Sequence, residues 1–140
     1  FDIGTIKGYS VRMQLYTVPG QVKYNATRKL VLRGVDGIVF VADSMQLRRE
    51  KNVLSLKNAR ENLAAYKKDL TKIPLVMQYN KRDLGEQGIP LLSVETLQQD
   101  LNADLNVPFF EASALDGTNV VETLKKIISL TMASLSKDLT

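Results

Sequence analysis

Two short clusters in this chain combine residue types that can recognise a purine base, a third sets a glutamine on a Pro-Gly corner, and each follows an apolar run. The first is NKRD, with Asn80, Lys81 and Asp83, directly after IPLVMQY. An asparagine and an aspartate three positions apart on a loop can offer an amide to one purine edge and a carboxylate that accepts twice, from a ring N–H and an exocyclic amine. Lys81 can lay its aliphatic stem over the ring. That set of partners describes guanine, although the same four residues also make an ordinary solvated turn. The second cluster is ASAL, where Ser113, Ala114 and Leu115 follow Ala112 and can close the base pocket with a small hydroxyl and exposed amides. The third is TVPGQ: Thr17 and Val18 end an apolar stretch, Pro19 and Gly20 break it, and a lone glutamine, Gln21, follows on the corner.

Composition removes most other chemistry. The 140 residues contain no cysteine and no histidine, which excludes thiol nucleophiles, disulfides, the common zinc ligand sets and the Ser-His-Asp mechanism. Carboxylates, lysines, hydroxyls, amides and backbone remain. A hydrophobic content of 44% suffices for the core of one domain. No apolar run approaches the roughly 20 residues that cross a bilayer. The chain begins at Phe1, so it is expected to be a processed or excised segment, with no signal peptide in what remains. Charge is uneven: residues 1–72 hold 14 Lys/Arg against 6 Asp/Glu, and residues 73–140 hold 5 against 9. The basic residues between Arg48 and Lys72 alternate with apolar ones at helical spacing and lack interleaved aromatics. They read as a solvated helix face, not a nucleic-acid surface.

The elements that must position these clusters follow from periodicity. Residues 10–18 alternate Val11, Met13 and Leu15 against Ser10, Arg12 and Gln14, a strand with one buried face. Residues 1–7 are its hairpin partner, with Lys7-Gly8 at the turn. Residues 25–33 carry helical spacing and stop at Gly34. GIVFVAD (37–43), IPLVMQY (73–79) and VPFFEAS (107–113) are continuous apolar runs, expected as parallel strands buried on both faces. Helices are expected at 49–70, from Ser93 onward with a cap near Glu95 or Thr96, and at 118–135 with Val121, Leu124, Ile127, Ile128 and Met132 inward. Strands alternating with helices after a hairpin predict an α/β doubly wound sheet, whose ligands bind beyond the carboxyl ends of the strands. All three clusters lie there.

In this order and spacing, TVPGQ, NKRD and EASA resemble the small Ras-like GTPases. The stretch LYTVPGQVKYNATRKLVLRGVDGIVFVADS is most similar to the bacterial MglA-type gliding and polarity GTPases. The resemblance covers nearly the whole chain and implies a cytoplasmic regulatory switch that binds GTP and GDP with Mg²⁺ and hydrolyses GTP slowly without an activator. It implies that Asn80, Lys81, Asp83, Ser113, Ala114 and Leu115 hold guanine, that Thr17 to Gln21 form switch II, that Gly20 touches the γ-phosphate and that Gln21 orients the attacking water. It also implies a Roadblock-domain activator of the MglB type and downstream motility or polarity effectors.

Two departures stand out. Thr17 occupies the place where most Ras-like proteins carry a magnesium-holding aspartate, so any metal contact there is weak and runs through water. The phosphate loop G-x-x-x-x-G-K-[ST] is absent, and with it switch I. In the Ras-like sheet the strand feeding that loop lies between the strands at 10–18 and 37–43. Its loss would expose two inner edges, and the 140 residues are therefore expected to be the retained part of one longer GTPase domain. The alternative is an interaction module that docks a partner without nucleotide or hydrolysis.

Overall fold

In the computed structural model, residues 2–18 and 24–138 are described. The chain opens with an antiparallel hairpin, β1 (Asp2–Ile6) and β2 (Tyr9–Arg12). Its two-residue turn places Lys7 at φ 51° and Gly8 at φ 83°, the paired left-handed conformation whose twist suits a tight hairpin. β2 is shorter than the alternation predicts. Residues 13–18 leave regular structure, and Leu15, expected on the buried face, is 70% exposed. The physical reason is pairing: among the described residues β2 forms a ladder with β1 alone, and its register starts at Asp2 opposite Arg12, whereas the alternation runs on past that point.

The other strands form one parallel sheet in the order β3 (Ile38–Asp43), β4 (Leu75–Asn80), β5 (Phe109–Glu111), joined by helical crossovers. β4 is central and takes the most apolar run, with Leu75, Val76, Met77 and Tyr79 buried. Its alternation divides the core. Leu75, Met77 and Tyr79 meet Phe40 and Ala42 of β3, Leu56 and Leu63 of α2 (Arg49–Ala65) and Leu97 and Leu101 of α3 (Val94–Leu101). Val76 and Gln78 point to the opposite face, where Gln78 donates to Thr123 of α4 (Val120–Asp138) at 2.9 Å. Each large aliphatic side chain buried this way contributes about 1.5–3 kcal/mol. β3 departs from the two-sided burial expected of it: Val41 is 53% exposed, and among the described residues β3 is an edge strand.

Helix boundaries have local causes. Ser93 caps α3, its hydroxyl accepting from the Thr96 amide at 3.1 Å. α2 stops at Ala65, short of the expected Leu70. Lys67 adopts φ 59°, and the Lys68 and Lys67 amides return to the Leu63 and Ala64 carbonyls, both at 2.9 Å, which closes the helix in a Schellman turn. α4 presents Thr123, Ile127 and Thr131 inward, while Val121, expected on that stripe, is 55% exposed.

The helix α1 (Asn25–Leu32) meets α2 through polar groups. Arg28 is buried and donates from Nη2 to the Ser55 carbonyl at 3.0 Å and hydroxyl at 3.1 Å, and its burial lowers the guanidinium pKa. Asn58 and Asn62 both donate to Asn25 Oδ1, at 2.9 and 3.1 Å.

Gly37, just before β3, lets α4 approach the backbone closely: a methyl group there would overlap Thr131 Oγ1 and touch Ile127. Gly37→Ala should destabilise the fold by about 1–3 kcal/mol. Thr131→Ala in the same chain should recover part of that loss. Denaturant unfolding of the single and double variants checks this; additive losses would show that the two positions do not collide.

Candidate functional site

The parallel register sets Asp43 opposite Asn80 and Tyr79 opposite Glu111, so the three strands end level and their following loops share one edge of the sheet. Across that edge Asn80 Oδ1 accepts the Ala114 amide at 2.9 Å, joining NKRD to ASAL over 34 positions of sequence. Ser113 is buried. Its amide donates to the Thr118 carbonyl at 3.1 Å and its hydroxyl accepts the Asp116 amide at 3.3 Å, which turns the loop back and leaves Ala114 outward. Leu115 is 84% exposed. Asp83 lies half-buried in the 3₁₀ turn Arg82–Gln87, and no other described residue hydrogen-bonds or ion-pairs with its carboxylate. A half-buried carboxylate left without a protein donor suits a ligand that brings donors of its own.

Lys81, whose stem is expected over the ring, has its charged end held by the protein. Its backbone is left-handed at φ 68°, and its ammonium pairs with Asp43 Oδ2 at 2.8 Å. Asp43 is in turn fixed from two sides: Oδ1 accepts the Met45 amide at 3.0 Å, and buried Asn52 of α2 clasps its backbone. The Asp43 amide donates to Asn52 Oδ1 at 3.1 Å, and Asn52 Nδ2 donates to the Asp43 carbonyl at 2.8 Å. The lysine stem is thereby stretched across the loop edge beside Asn80, with its charge anchored at the far end.

The structure thus brings together Asn80, Lys81, Asp83, Ser113, Ala114 and Leu115. Pro19, Gly20 and Gln21 lie outside the described residues. Thr17 is exposed and Val18 half-buried, both in irregular backbone. Among the described residues no three acidic side chains converge, and the neutral Thr17 hydroxyl brings no charge to a cation. Asp43, Asn52 and Arg82 took no role in the sequence reading. A charged residue as the last member of an apolar strand was the available signal for Asp43; Asn52, on α2, and Arg82, in its loop, had none, since their side-chain partners lie nine or more positions away.

A family model described as Ras family matches residues 2–133. The chain is 50% identical over 136 residues to the mutual gliding-motility protein MglA of Myxococcus xanthus, covering 97% of this chain and 67% of that protein. It is 29% identical to the Ras-related protein RABD2b of Arabidopsis thaliana, covering 87% of this chain and 57% of the relative. It is 27% identical to human Ras-related protein Rab-9A, at 92% and 62%. The chain therefore spans about three fifths to two thirds of these relatives' lengths.

The turn behind Ser113 generates a pH dependence. Asp116 accepts from the Thr118 hydroxyl at 2.6 Å and from the Thr118 amide at 2.8 Å. These bonds, the hydroxyl first, hold its carboxyl pKa below the ordinary aspartate range. A depressed carboxyl stabilises the turn fully above the unfolded value of about 4, and that contribution is lost as pH falls through the lower folded value. The Thr118 amide resonance should shift through that acidic window, and Asp116→Asn should flatten the profile. A profile unchanged by Asp116→Asn would assign the titration elsewhere.

Proposed function

The chain belongs to the Ras family, and from that membership we propose that it is a guanine-nucleotide switch that binds GTP and GDP and hydrolyses GTP to GDP. The observation that carries the reading is the bond between Asn80 Oδ1 and the Ala114 amide beside Asp83, whose carboxylate takes no partner among the described residues, because it sets two base-reading loops against a carboxylate able to accept. In this reading Asp83 accepts from the guanine ring N–H and exocyclic amine, Asn80 and Ser113 hold the loops that frame the base, and the Ala114 and Leu115 backbone closes it. Lys81, tethered at Asp43, covers the ring with its stem.

Hydrolysis is assigned to the Thr17 to Gln21 segment by family membership: Gly20 approaches the γ-phosphate and Gln21 orients water, an effect of position and not of acid–base chemistry. GTP requires a phosphate cradle and Mg²⁺ sites that the described residues do not supply. We place these on a segment outside these 140 residues whose strand would lie between β2 and β3, completing a single G domain. Both strands carry an unpaired edge among the described residues, which supports that placement. Similarity to a mutual gliding-motility protein of a bacterium supports a role in motility; a part in polarity, a place in the cytoplasm, and a Roadblock-domain activator and downstream effectors as partners are what the family resemblance implies. Among the described residues, no helix is long and apolar enough to cross a membrane.

Calorimetry on the full-length protein should find GTP and GDP binding far above ATP, since adenine would turn an acceptor toward Asp83 and a mismatched polar edge costs about 1–3 kcal/mol. Asp83→Asn should weaken guanine and move preference toward xanthine. Equal affinity for ATP and GTP would instead favour an interaction module.

Gln21→Leu should keep nucleotide affinity within a few-fold and slow activator-stimulated hydrolysis by roughly two orders of magnitude or more. Unchanged turnover with the activator present would make Gln21 an ordinary turn residue.

A further inference from the structure

Arg82 is the one NKRD residue to which the guanine reading gives no contact, yet its side chain and amide reach two separate segments, at Leu92 and at Glu111-Ala112. Nη1 donates to the Leu92 carbonyl at 2.6 Å, just ahead of the α3 cap. Nε pairs with Glu111 Oε1 at the end of β5, at 3.2 Å, and the Arg82 amide donates to the Ala112 carbonyl at 3.1 Å. Leu92 and Ala112 are themselves tied back to the strand ends. The Leu92 amide donates to the Ser44 carbonyl at 2.7 Å, the Ser44 amide to the Asn80 carbonyl at 3.1 Å, and the Ala112 amide to the Tyr79 carbonyl at 2.8 Å. The result is a closed hydrogen-bonded circuit through the ends of β3, β4 and β5. Every other link in it is backbone to backbone. Arg82 closes it with a side chain, and its arms are only 24% exposed.

We propose that Arg82 is a positioning residue for base recognition: by fastening the Asn80–Asp83 loop to both Leu92 and Glu111, it fixes the orientation of the neighbouring Asp83 carboxylate relative to the Ala114 loop. This inference rests on the guanine reading of the site. A carboxylate that accepts twice must face the base edge squarely, and a small rotation keeps one bond while losing the other. The contribution of Arg82 is therefore expected in discrimination as well as in affinity. Planarity matters too, because the guanidinium serves two acceptors in fixed directions and a lysine ammonium cannot reproduce that fork.

The probe is inosine diphosphate, which lacks the exocyclic amine and so reports whether the second bond to Asp83 is made. In the full-length protein, GDP and inosine diphosphate affinities are measured by calorimetry for wild type, Arg82→Met, Arg82→Lys and Glu111→Gln, alongside thermal unfolding. Arg82→Met should weaken GDP roughly ten-fold, the scale of a lost charge-assisted hydrogen bond, and should shrink the GDP preference over inosine diphosphate several-fold. Arg82→Lys and Glu111→Gln, each retaining part of the clamp, should fall between. A lowered melting temperature with an undiminished preference in Arg82→Met would overturn the proposal and leave Arg82 a scaffold residue. If Arg82→Met does not fold, an undiminished preference in both milder variants overturns it equally. A wild-type protein with no preference would overturn the guanine reading and this inference with it.

Discussion

Parallel pairing of β4 on both edges decides where every loop residue of interest stands. Once Asp43 is opposite Asn80 and Tyr79 opposite Glu111, the chain must leave all three strands at the same level, and the loops can reach one another within a single hydrogen bond. That pairing in turn depends on burial. Up to Tyr79, β4 is apolar on both faces except for Gln78, and the Gln78 amide donates to Thr123, so that buried side chain is partnered. Core and site are continuous here: the residue after buried Tyr79 is Asn80.

The loop edge is held mainly by polar bonds, in contrast to the apolar layer beneath it. The Ser44 backbone, the anchored Asp43–Lys81 pair and the turn from Ser113 to Thr118 bond one another or their neighbours, and they make the Asp83 carboxylate distinct by comparison. The left-handed backbone at Lys81 belongs to the same arrangement. A β-branched residue there would be strained, and from this bend the lysine reaches β3 at Asp43.

How much of this was legible in the sequence depends on whether the cause was local. The run at 73–79 announced a strand covered on both faces because its covering is complete, and the Ser93 cap with Thr96 is a bond across three positions. The end of α2 was concealed because a lysine sits where glycine usually marks the left-handed stop. β2 was overextended because alternation records which residues would suit a strand and not whether a partner exists. On α4 the inward stripe is displaced by small polar residues, Thr123 and Thr131, that meet Gln78 and Gly37. A hydrophobicity pattern assigns such threonines to the surface. In the site, the motif residues were readable as types, whereas Asp43 with Lys81 and Arg82 with Glu111 join positions far apart in sequence and emerge only from the register.

Asn52 places a limit on the sheet itself. Along a parallel strand the backbone groups of alternate residues face opposite neighbours. Ile38 and Ser44 donate toward the β4 side, so Val39, Val41 and Asp43 present their amides and carbonyls to the outer edge. At Asp43 both of those groups are already taken by one side-chain amide, which imitates a single residue of an adjoining strand. Asn52 is therefore an end-stop for that edge. Any strand laid alongside β3 can use the rungs at Val39 and Val41 and has to turn away at Asp43, so a side chain from α2 sets the length of a neighbour it does not belong to.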